Sequence, residues 1–124
     1  MSADKPAEES KPEVKTAAPA VASSRVKAPK GWGRAVANAH RARARRAAVR
    51  LYAKQPGMDE ATFREECGND KELVGLDPAT IITLITIAWK LYQWWKARKA
   101  SRVQVEAGLP EGELDIDFDI DEDE

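Results

Sequence analysis

Large apolar side chains are unevenly spread along this chain. They concentrate between Leu76 and Arg102, in the stretch LDPATIITLITIAWKLYQWWKARKASR. Between Ala79 and Trp95 the single charged residue is Lys90. Asp77 and Pro78 form a helix start. An N-cap aspartate accepts hydrogen bonds from the first free amides, and a proline at the first helical position forfeits none. Lys96, Arg98, Lys99 and Arg102 lie at the far end, where the helix dipole favours cations. These signals outweigh the β-branched Ile and Thr, and predict one long apolar helix over about 78–100.

On a helical wheel Thr83, Thr86, Lys90 and Gln93 fall in one narrow row, extended by Ala79 and Ala97. The rest of the circumference is Ile, Leu, Trp and Tyr, broken by Thr80. A helix apolar nearly all round is buried in protein or inserted in lipid. Lipid suits the length, about 26 Å against a hydrocarbon core of about 30 Å. It also suits an aromatic belt of Trp89, Tyr92, Trp94 and Trp95 followed by Lys96, Arg98 and Lys99 at headgroup depth. The expectation is a membrane-interface role for these seven residues. Thr83, Thr86, Lys90 and Gln93 form a candidate contact face for self-association.

A second pattern runs from Lys30 to Lys54, KGWGRAVANAHRARARRAAVRLYAK. Alanine and arginine are good helix formers, and Gln55-Pro56-Gly57 is a stop, so a basic helix is predicted over about 32–54. Arg34, Arg41 and Arg45 make one row, and Arg43, Arg46, Arg50 and Lys54 another. A thin stripe of Val36, His40, Ala44, Ala47 and Leu51 separates them. Guanidinium forks match phosphate oxygens, so both rows are candidate polyanion-binding residues, for a nucleic acid or an anionic membrane. No base-reading pattern accompanies them. A plain solvated helix, or one paired with the acidic tail, fits the same residues.

A short helix is predicted over about 59–67, with Asp59 as N-cap and Gly68 as stop; it can fold back on the basic helix as a hairpin. The C-terminal tail reads ELDIDFDIDEDE, with Leu114, Ile116, Phe118 and Ile120 alternating with acids at the strand period. These four are candidate docking residues for a protein partner, by addition to a sheet edge. The tail resembles the acidic, Phe-containing tails of single-stranded DNA-binding proteins, but lacks their terminal aromatic.

Charge sharpens the division. From Val14 to Met58 there are eleven Lys and Arg and no acid, while residues 103–124 carry ten acids and no base. The net charge of −1 conceals this segregation, which points to interactions rather than to a packed globule. Outside the long helix the large apolar residues are few, so no independent globular core is expected. The N-terminus carries no secretory signal pattern. Neither a catalytic constellation nor metal-ligand spacing is present, and no cofactor is implied. His40 has no second histidine to share a metal, and Cys67 has no disulfide partner.

The expected fold is therefore mostly α with disordered ends. Its divisions are a tether at 1–30, a basic and a short helix at 31–75, an inserted or assembly-buried helix at 76–102, and an acidic tail at 103–124. The function expected first is a non-enzymatic, single-pass membrane-anchored adaptor in a cellular or virion internal membrane. It would bind nucleic acid or anionic lipid through its arginines and a protein through its tail. The alternative is a soluble nucleic-acid-binding or assembly protein that oligomerises through the apolar helix.

Overall fold

The computed structural model describes residues 23–108 and 114–120. They are mostly helical. The order is β1 (Ser23–Lys27), α1 (Arg34–Lys54), α2 (Glu60–Gly68), α3 (Pro78–Ala97), α4 (Arg102–Ala107) and β2 (Asp115–Asp119).

Local chemistry accounts for the helix boundaries. Asp59 caps α2, its carboxylate accepting from the Thr62 amide at 2.8 Å. Asp77 caps α3, accepting from the Thr80 amide at 3.2 Å and the Thr80 hydroxyl at 2.7 Å. Gly33 precedes α1 without a side-chain cap. Lys99, at φ 54°, turns the chain out of α3 through the left-handed region. Ser101 then opens α4 with a reciprocal box: its hydroxyl accepts from the Gln104 amide, and the Gln104 side chain accepts from the Ser101 amide.

The core lies between α1 and α3, closed by α2 and α4. Tyr52, near the end of α1, sits edge-on to Tyr92 and Trp95, with ring centroids 5.4 and 5.7 Å apart. His40, nearer the start of α1, lies in the field of Asp77 at the start of α3. The two helices therefore run in the same direction. Phe63 of α2 packs on Trp89 and Tyr92 at 5.0 and 4.8 Å, while Gly68 faces Ile85. Thus α2 runs back along α3. The Tyr92 hydroxyl donates to the Gln55 carbonyl and accepts from the Met58 amide, which fastens the α1–α2 turn onto α3.

Two expectations fail here. A globular core does exist. It includes Ala37, Ala44, Ala47 and Ala48 of α1 against Leu84, Ile87, Ala88, Leu91, Tyr92 and Trp95 of α3. The physical reason is complementary size. Small side chains on α1 let its backbone approach α3 closely, so the large residues of one helix fill the space for two. Counting bulky residues outside α3 misses this.

Nor is α3 the membrane-inserted helix expected from the sequence. Among the described residues no helix is long and apolar enough to cross a membrane. The apolar flank of α3 is covered by the rest of the chain. Its other flank carries Thr83, Thr86, Lys90 and Gln93 together with Ile82, which is 62% exposed. The spanning helix, the membrane localisation and the virion-membrane setting fall with that observation.

The expected tails also differ where they are described. β1 lies within the expected N-terminal tether, β2 within the expected acidic tail, and α4 in that tail apart from its first residue, Arg102. Residues 1–22, 109–113 and 121–124 fall outside the described residues. β1 and β2 pair in parallel, with Val26 opposite Phe118 and Arg25 opposite Asp117. Ile116 and Phe118 are buried against the helices, and Asp115 and Asp119 point outward.

Candidate functional site

The structure places the cations of α1 on two flanks, and both face acidic or carbonyl oxygens of this same chain. On one flank the segment after α2 presents Asp70 and Glu72. Arg50 donates to both Asp70 oxygens, at 3.0 and 2.6 Å. Arg46 donates to both Glu72 oxygens, at 2.9 and 3.1 Å. Arg43 approaches Glu72 at 3.8 Å, and Lys54 pairs with Glu66 at 3.0 Å. Burial works to raise the Asp70 carboxyl, but hydrogen bonds from Arg50 and the Glu72 amide outweigh it and hold the group below its ordinary range. The Arg46 hydrogen bond likewise holds Glu72 low.

On the other flank Arg34 pairs with Asp117 at 3.0 Å. Arg41 donates to the Ile116 carbonyl at 2.9 Å and to the Asn38 side chain at 3.1 Å. Arg45 lies over the Trp95 ring, 5.7 Å from its centroid. All seven α1 residues expected to hold an external polyanion thus have internal contacts. The bidentate geometry anticipated for phosphate is realised with carboxylates, which offer the same pair of oxygens.

Of the four tail residues expected to dock on a partner, Ile116 and Phe118 dock on their own chain. Trp32 stacks obliquely on His40 at 4.5 Å and meets Phe118 edge-on at 5.2 Å. Leu114 and Ile120 are partly buried against the hydrophobic core. His40 Nδ1 is buried and has no hydrogen-bond partner among the described residues. Burial foremost, then the charge of Arg43, lowers the His40 pKa against an opposing pull from Asp77.

The residues assigned to a membrane interface separate into two groups. Tyr92 and Trp95 are buried core residues, and Trp89 is half-buried against Phe63. Trp94, Lys96, Arg98 and Lys99 lie on the outside of the α3 C-terminus. The Arg98 guanidinium sits over the Trp94 ring, 4.4 Å from its centroid. Lys96 and Lys99 are exposed and make no ion pair among the described residues. Arg102, at the start of α4, donates to the Ala53 carbonyl at 2.7 Å. Four cations, Lys96, Arg98, Lys99 and Arg102, therefore fall within the stretch where α3 turns into α4, with the half-exposed Trp94 just before them.

The expected contact face of α3 points outward, and its threonines are internally satisfied. Thr83 donates to the Ala79 carbonyl at 2.9 Å and Thr86 to the Ile82 carbonyl at 3.0 Å. Lys90 is half-exposed and Gln93 exposed. Cys67 is fully buried, and burial together with the charge of Asp70 pushes its thiol up to about 12, so it is not a reactive thiolate at neutral pH. Among the described residues no group of three metal-ligating side chains forms.

Sequence reasoning missed α4 and the partners Asp70 and Glu72. The signal for α4 was present as Ser101-x-x-Gln104, a capping box. The signal for the acids was weaker: two carboxylates in a linker, set opposite an arginine row across a turn.

No family model matches the chain, and neither a curated protein nor a solved structure does.

Proposed function

We propose that this chain is a non-catalytic binding module for nucleic-acid backbone phosphates, and that it uses the corner between α3 and α4. The observation that carries this reading is the distribution of paired and unpaired cations. Arg34, Arg43, Arg46, Arg50 and Lys54 on α1 each face a carboxylate of the chain itself, whereas Lys96 and Lys99 face none among the described residues. Phosphate binding draws its free energy from counterions released by such uncompensated cations. The half-exposed Trp94 ring lies at the same corner, under the Arg98 guanidinium. Among the described residues no array of side chains spaced to read base edges accompanies it, which favours recognition of the backbone.

Titration with a random-sequence oligonucleotide at several salt concentrations tests the reading. Affinity is expected to fall linearly with salt on logarithmic axes. Replacing Lys96, Arg98 and Lys99 with Gln should shallow that slope, by about 0.7–0.9 for each phosphate no longer neutralised. Association that ignores salt, or a slope unchanged in the triple variant, overturns it.

A further inference from the structure

A two-stranded sheet has two outer edges, and among the described residues only one of them is closed. The register and the Ala28 amide donating to the Asp119 carbonyl at 3.1 Å fix which groups point where. In a parallel ladder, Ser24, Val26 and Ala28 of β1 turn their backbone groups toward β2, and Asp115, Asp117 and Asp119 of β2 turn theirs toward β1. The backbone groups of Ile116 and Phe118 therefore line the outer edge of β2. Side chains occupy that edge: Arg41 donates to the Ile116 carbonyl at 2.9 Å, and the Asp117 carboxylate, held by Arg34, accepts from the Phe118 amide at 2.9 Å.

The outer edge of β1 belongs to Arg25 and Lys27. Their amides and carbonyls point away from β2, and no group among the described residues pairs with them. Both side chains are exposed, and Arg25 approaches Asp119 at 3.8 Å across the sheet. An open edge is a template for another strand, and its side chains decide which strand. A second copy pairing edge to edge would set Arg25 and Lys27 against their own counterparts, which like-charge repulsion opposes. An acidic strand meets attraction instead. The strand already accepted on the other side of β1 has that character, with Asp115, Asp117 and Asp119 on its outer face.

We propose that the outer edge of β1 is a docking site for an extended acidic segment of a partner protein. The segment adds as a third strand, alternating acidic residues over Arg25 and Lys27 with apolar residues on the helix-facing side, beside Val26. The backbone bonds are few, so binding is weak and salt-sensitive.

The probe is a synthetic peptide with the sequence of residues 114–120, added to the full chain, with amide hydrogen exchange read residue by residue. The Arg25 and Lys27 amides exchange freely without peptide and are expected to become protected with it. The Val26 amide, already bonded to β2, should not change. A control peptide with every Asp replaced by Lys should give no protection. The Arg25→Gln, Lys27→Gln double variant should bind the acidic peptide roughly tenfold more weakly, with an unchanged circular dichroism spectrum. Absence of binding at low salt overturns the proposal. So does equal protection by the Lys peptide, or binding that displaces β2 while the Arg25 and Lys27 amides stay unprotected.

Discussion

Arg50 and Asp70 are joined by two hydrogen bonds, 3.0 and 2.6 Å long, and the Asp70 side chain is only 8% exposed. This pair ties the outer flank of α1 to the segment that leads into α3. The same carboxylate also accepts from the Glu72 amide at 2.9 Å, shaping its own turn. An arginine row that invites a phosphate reading from sequence thus serves as one side of an internal ion-pair network.

Removing either partner should destabilise the fold. Arg50→Ala leaves a largely buried carboxylate without its fork, and a loss of about 1.5–3 kcal/mol is expected. The pH dependence has a definite sign. The native Asp70 pKa is held below its ordinary value, so the unfolded state binds the proton more readily. The stability from this group is therefore full above the ordinary carboxylate range and disappears as pH falls through the lower native pKa. Chemical denaturation of wild type and Asp70→Asn from neutral to acidic pH should show the two curves converging at low pH. Parallel curves would remove Asp70 from the acid sensitivity.

The close approach of α1 and α3 makes a separate prediction. Ala44 and Ala47 have no exposed surface. Enlarging either to Leu forces the helices apart, at a cost of about 1–3 kcal/mol. Ala42, on the exposed side of the same helix, should accept Leu with little effect. Thermal melts of Ala44→Leu and Ala42→Leu side by side make the comparison. Equal melting temperatures would mean that α1 does not pack as described.

The acidic strand carries the third prediction. Phe118 is 1% exposed and meets Trp32 edge-on. Phe118→Ala should cost about 3–5 kcal/mol, the usual range for a buried phenylalanine. It should also free Trp32, seen as a red shift in tryptophan emission. A solubilising tail would lose nothing, so an unchanged denaturation midpoint decides against β2 as part of the fold.

The sequence by itself determined where α1, α2 and α3 lie, though not α4. Propensity, the caps Asp59 and Asp77, and the stop at Gln55-Pro56 are local effects, and each acts within a few residues of its position. What only the tertiary structure decided is which groups meet. Whether an arginine row faces phosphate or carboxylate depends on what lies opposite, and Asp70 and Glu72 reach α1 only because the chain doubles back through α2. Whether α3 is buried in lipid or protein depends on how closely a neighbour approaches, and that was set by alanines rather than by bulky residues. The tail was legible as a strand from its alternation, but its partner was not. A strand's hydrogen bonds are made to another segment, and here that segment is β1, whose residues SSRVK carry no alternation of their own.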